Sequence, residues 1–124
     1  MKHEKTVFVS GNFNILHPGH LRLLKYAKGL CGKLLVGVYS DKKAGESAHL
    51  NQDLRLEGIK SNIWVDEAFI IDEPVENIIK SFKPQFVVKG KEHEGKYNPE
   101  ENVLGSYGGK LVFCSGDASF LYYL

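Results

Sequence analysis

Residues 6–30, TVFVSGNFNILHPGHLRLLKYAKGL, decide the fold. Thr6–Ser10 is short, apolar and rich in β-branched residues, as a strand buried on both faces requires. From Gly19 or His20 to Leu30 the apolar residues recur at helical spacing. Leu21, Leu24 and Ala27 share one face, and Arg22 and Lys25 lie on the polar side. Pro18 suits the entry to that helix and Gly32 its exit. Between strand and helix lies Gly11–Pro18, a junction that places His17 and His20 three positions apart.

The alternation continues along the chain. Strands are expected at Lys33–Tyr39, Glu67–Ile71, Gln85–Lys89 and Lys110–Cys114, and helices at Asp53–Asn62, Val75–Phe82 and Pro99–Ser106. Ser40–Gln52 and Gly90–Tyr97 are polar and read as loops. Strands too apolar to face water, alternating with helices, predict a parallel sheet covered on both faces. The expected fold is one Rossmann-like, doubly wound α/β domain of about five strands over residues 1–124.

Composition narrows the function classes. The 124 residues are 43% apolar and 25% charged, an ordinary soluble composition. Sixteen Lys plus Arg against fifteen Asp plus Glu argue against a nucleic-acid binder driven by bulk charge. No apolar run approaches the ~20 residues of a membrane helix. The start, MKHEKTVFVS, lacks the apolar segment and cleavage site of a secretory signal. Cys31, placed on the first helix, and Cys114 form no metal-type pair and read as buried thiols of a cytoplasmic protein. His93, in EHEGKY, lacks a helical His or Cys partner, so no protein-built metal site is expected. Trp64, Phe120, Tyr122 and Tyr123 read as core or interface aromatics.

In an open parallel sheet, ligands bind beyond the carboxyl ends of the strands, where strand order reverses. Gly11–His20 follows the first strand and would sit at that crevice. The helix start offers free N–H groups and a positive dipole end, which suit phosphate. His17 and His20, one from the loop and one from the first turn, can converge on the same anion. Gly11 and Gly19 permit close backbone approach. The spacing fits neither G-x-G-x-x-G nor G-x-x-x-x-G-K-[ST].

GNFNILHPGH resembles the G-x-F-D-x-x-H-x-G-H signature of the cytidylyltransferase-like nucleotidylyltransferases. LCGKLLVGVYSD at Leu30–Asp41, RLEGI at Arg55–Ile59, VDEAFI at Val65–Ile70 and KPQFVVKGKE at Lys83–Glu92 extend the likeness over nearly the whole chain. VKG and the later GGK resemble the ADP-heptose synthase type most. The resemblance implies transfer of a nucleotidyl group from CTP or ATP to a phosphorylated sugar or polyol, with release of pyrophosphate. It implies Mg²⁺ bound with the nucleoside triphosphate and, together with the apolar tail, a homodimer. His17 and His20 would then bind phosphates and stabilise the transition state. Gly11, Asn12, Phe13, Asn14, Gly19, Lys89, Gly90 and Glu92 would meet the nucleotide. Lys42, Lys43 and Arg55 are candidates for phosphate or acceptor. The bland alternatives are a solvated loop for the two lysines, a helix-surface residue for Arg55 and a strand-end charge for Lys89.

Two departures bear on activity. The signature aspartate is Asn14 here, which keeps the size and one acceptor but loses the charge. If the aspartate orients the loop through N–H bonds, Asn substitutes in part; if it must be ionised, activity falls. The family's closing R-x-x-x-[IV]-S-[ST]-[ST] segment is also unmatched, since CSGDASFLYYL carries no Lys or Arg and only Ser115, Gly116 and Ser119 as small candidates. The expectations left open are a truncated chain, a domain completed by a partner, or a nucleotide-binding or scaffold domain with weakened catalysis.

Overall fold

The computed structural model describes residues 5–115. Five strands form one parallel sheet: β1 (Thr6–Gly11), β2 (Lys33–Tyr39), β3 (Glu67–Ile71), β4 (Phe86–Gly90) and β5 (Lys110–Cys114), in the order β3-β2-β1-β4-β5. The helices are α1 (Pro18–Leu30), α2 (Asp41–Ala44), α3 (Gln52–Lys60), α4 (Val75–Phe82) and α5 (Glu100–Gly105). The doubly wound α/β expectation holds, with element ends displaced by a residue or two.

Side chains alternate across the sheet and fill a core on each face. Val7, Val9, Leu34, Val36 and Val38 pack with Leu24 and Ala27 of α1 and Ile59 of α3. Phe8, Leu35, Ile71 and Val87 pack with Ile78 and Ile79 of α4 and Leu104 of α5. This two-sided burial explains why the strands read as unbroken apolar runs. Trp64 packs against the first core, as expected. Cys31 does not lie in the helix: it caps α1 in extended backbone and is half-buried, while Cys114 is buried. Phe120, Tyr122, Tyr123, Gly116 and Ser119 lie outside the described residues.

Two stretches read as loops are partly helical. Ser40 is buried and its hydroxyl accepts from the Lys43 N–H at 3.0 Å, capping the single turn of α2, and a 3-10 turn follows at Gly45–Ser47. A second 3-10 turn covers Lys91–His93. One-turn elements lack the length over which periodicity declares itself.

The reversal of strand order falls between β1 and β4. β1 pairs with β2 along its whole length, but with β4 only through Val7–Phe86 and Phe8–Val87. Beyond Phe8 the two strands part, and their carboxyl ends open a crevice.

Arg55 secures the β1–β2 side of that crevice. It is 1% exposed. Its Nε donates to the Leu50 carbonyl (2.8 Å), Nη1 to the carbonyls of Asn12 (2.9 Å) and Tyr39 (2.8 Å), and Nη2 to Asp41 (2.8 Å). The bond from Arg55 also holds the Asp41 carboxyl below the usual carboxylate range. Arg55 is therefore not the helix-surface residue of the bland reading, and its buried donors face protein rather than the crevice.

Arg55→Met should destabilise the protein by about 3–5 kcal/mol in denaturant titrations, because three carbonyls and Asp41 lose their partner together. Arg55→Lys should recover little of this, since one ammonium lacks the planar fork that spans four acceptors. A lysine variant as stable as the parent would show that the fork is dispensable.

Candidate active site

At the crevice the chain leaves β1, turns through Asn12–Leu16 and enters α1. Phe13 takes a left-handed backbone conformation (φ 52°), which is strained for a bulky residue. Its ring is nonetheless buried, lying over Gly11 and meeting the His20 ring edge-on with centroids 5.6 Å apart. A Cβ at Gly11 would stand 3.2 Å from that ring. Glycine at 11 is thus what lets Phe13 turn back and support His20.

The two histidines cap their own helix. His17 is the N-cap, and its Nδ1 accepts from the Gly19 N–H at 3.0 Å. His20 reaches back so that its Nδ1 accepts from the His17 N–H at 3.4 Å. The rings stack with centroids 3.8 Å apart. With Nδ1 engaged by the Gly19 N–H, Nε2 is the ring nitrogen of His17 left for another partner. Burial holds the His20 pKa below that of a free imidazole, and the neighbouring His17 lowers it further. A hydrogen bond with the Ile15 backbone and the Glu92 carboxylate act the other way. His20 is accordingly neutral near pH 7.

The cleft beside them has a volume of about 280 Å³ and runs from Gly11, Asn12 and Phe13 past His20 to Lys89, Gly90 and Glu92. A smaller adjoining recess lies between His17, Gly19, Gly90 and Glu92. The fold thus brings together the residues singled out on β1, α1 and β4. A Cβ at Gly90 would collide with the Glu92 carboxylate, so glycine there allows Glu92 to fold back over the end of β4.

The far wall is braced from behind. Lys89 Nζ donates to Asn98 Oδ1 at 2.7 Å and lies 3.2 Å from Glu100. Asn98 in turn donates to the carbonyls of His93 and Lys96, both at 3.0 Å. On the cleft floor Tyr39 and Ser10 share a hydrogen bond of 3.1 Å, and burial pushes the Tyr39 phenol up. Asn98, Glu100, Ser10 and Tyr39 were not singled out in the sequence. Asn98-Pro99 is a turn signal, but the partnership with Lys89 is tertiary and leaves no local trace.

Asn14, Lys42, Lys43 and Arg55 do not line the cleft. Lys42 is exposed, and Lys43 lies over the Tyr39 ring, 5.4 Å from its centre. Asn14 turns towards the segment after α2. Its Nδ2 donates to the Ser47 carbonyl (2.8 Å) and its Oδ1 accepts from the His49 N–H (2.7 Å). Among the described residues no three His, Cys, Asp or Glu side chains converge as a metal site. No helix among them is long and apolar enough to cross a membrane.

The lowered pKa of His20 sets a pH dependence. Below about 6.5, the free-imidazole value, the unfolded chain takes up this proton more readily than the folded one. The stability that His20 contributes is therefore complete above that value and lost as pH falls towards the folded pKa. His20→Gln keeps an acceptor for the His17 N–H but does not titrate. Thermal midpoints from pH 7.5 to 5 should fall more steeply for the parent than for this variant; parallel curves would contradict the shift.

Residues 8–106 match the cytidylyltransferase-like family model. The chain is 40% identical over 110 residues to the bifunctional protein HldE of Campylobacter curvus, covering 83% of this chain and 22% of that protein. It is 33% identical over 117 residues to the bifunctional protein HldE of Caulobacter vibrioides, covering 89% and 24%. The chain thus spans about a quarter of the length of these relatives. In fold it is similar to the lipopolysaccharide core biosynthesis protein of Thermoplasma volcanium, with a TM-score of 0.78, 24% identity, and coverage of 93% of this chain and 100% of that one. With the family model matched from β1 to the end of α5, the chain belongs to the cytidylyltransferase-like family.

Proposed function

We propose that the chain is a nucleotidyltransferase that couples CTP or ATP to a phosphorylated sugar or polyol. The observation that carries this reading is the pair of histidines capping α1 at the β1–β4 crevice. Family membership and the HldE relatives support it. An oxygen of the acceptor phosphate attacks the α-phosphorus in line. The bond from that phosphorus to the bridging oxygen breaks, and pyrophosphate leaves with the electron pair. No covalent enzyme intermediate is needed, so the protein's work is positioning and charge stabilisation. His17 and His20 supply N–H donors to the phosphates, and the amino end of α1 supplies its dipole. Gly11, Asn12, Phe13 and Gly90 offer backbone along the cleft, while Lys89 and Glu92 border the nucleoside.

Mg²⁺ bound with the triphosphate would neutralise part of its charge. The donor set fits this mode, since Mg²⁺ retains waters and uses few protein ligands, and Glu92 is the carboxylate lining the cleft. The free thiols Cys31 and Cys114 suit a reducing, cytoplasmic setting.

One observation favours a second reading, nucleotide binding with weak turnover. The lysine that lines the cleft, Lys89, is already paired with Glu100.

Purified protein with Mg²⁺, CTP or ATP and a panel of sugar and polyol phosphates should release pyrophosphate. His20→Ala and His17→Asn, the latter retaining a helix cap, should each lower turnover roughly 100-fold or more. Tight nucleotide binding by calorimetry without pyrophosphate release would favour the second reading. Turnover indifferent to both substitutions would remove the histidines from the chemistry.

A further inference from the structure

Asn14 stands where the signature that this loop resembles has aspartate, and its surroundings are built for an amide. One end accepts, from the His49 N–H, and the other donates, to the Ser47 carbonyl. A second asparagine grips the same segment: Asn12 Nδ2 donates to Ser47 Oγ at 2.8 Å. That hydroxyl gives its own proton to the Ala44 carbonyl at 2.5 Å, so towards Asn12 it accepts. Three side-chain bonds therefore stitch the Ala44–His49 segment to the loop that leads into His17. A carboxylate at 14 keeps the bond from His49 but sets a charged acceptor against the Ser47 carbonyl, another acceptor. A protonated carboxyl, with one O–H and one carbonyl, has the same donor and acceptor set as the amide.

We propose that Asn14 is a positioning residue whose two-ended amide holds the histidine loop in its ligand-facing form. Restoring the aspartate of the signature then loosens this chain's loop instead of improving it. The proposal rests on the reading of the cleft as a nucleotide site.

The test compares the parent, Asn14→Asp and Asn14→Ala at pH 7.5 and pH 5. Binding of Mg·ATP and Mg·CTP is followed by calorimetry, and the His49 amide by hydrogen exchange expressed as a protection factor. At pH 7.5, Asn14→Asp should bind the preferred nucleotide roughly tenfold more weakly than the parent and lose protection at His49. By pH 5 both gaps to the parent should narrow as the carboxyl protonates, whereas Asn14→Ala should keep its defect at both pH values. A loss of packing alone would not produce that convergence. Parent-like or tighter binding by Asn14→Asp at pH 7.5 overturns the proposal, as does a gap of equal size at both pH values. If the parent binds neither nucleotide, the nucleotide reading fails. His49 exchange then decides the pin alone, and unchanged protection in Asn14→Asp at pH 7.5 refutes it.

Discussion

The buried guanidinium of Arg55 is the constraint on which one side of the crevice depends. A cation so deeply withdrawn from water is costly unless its donors are met, and here they are met by three main-chain carbonyls and one carboxylate. Those acceptors belong to the β1–α1 loop, the end of β2, the approach to α3 and the start of α2. Three stretches of the chain, at residues 12, 39–41 and 50, therefore share one side chain, and none moves without disturbing it. Arg55 in turn is placed by α3, whose Ile59 is packed into the core. The apolar core thus sets the position of the polar hub, and the hub sets the position of the loop.

The crevice follows from a limit on pairing. β1 spends its whole length on β2 and only two residues on β4, so the carboxyl ends of β1 and β4 are free to diverge. Into the gap the chain folds a strained Phe13, whose backbone cost is offset by burying an aromatic ring against Gly11 and His20. The histidines meet two needs at once. Their Nδ1 atoms accept from N–H groups at the helix start, where such groups are otherwise left orphaned. Spacing of three residues is what a reciprocal cap requires, and it is also what stacks the rings.

This division explains what the sequence made legible. Strand positions were readable because burial on both faces leaves an apolar run, and the crevice beyond the first strand was expected from where open parallel sheets bind ligands. The histidine loop was readable because cap, turn and glycine signals are local. Arg55 was not, because RLEGI in a helix gives no sign of whether arginine faces water or four acceptors contributed from residues 12 to 50. Asn98 and Glu100 were missed for the same reason, their meeting with Lys89 depending on how α5 returns to the sheet. For Asn14 the sequence leaves open whether size and one acceptor suffice or charge is needed, because the backbone groups at the two ends of its side chain come from the distant Ser47 and His49.

Charge pairing also shapes what this cleft can recognise. Lys89 answers Glu100, Arg55 answers Asp41, and His20 is held neutral by burial and by its stacked partner. At the crevice there remain the rings of His17 and His20 and the amino end of α1. Groups fixed by capping and packing cost little to organise when a ligand arrives, and they select by geometry more than by long-range attraction. On the proposed nucleotide reading, such a site would discriminate by where phosphate oxygens sit, and its fidelity would rest on the rigidity of the loop. That rigidity is supplied by Arg55, which holds the Asn12 carbonyl, and by the amides of Asn12 and Asn14, which hold Ser47 and the His49 N–H.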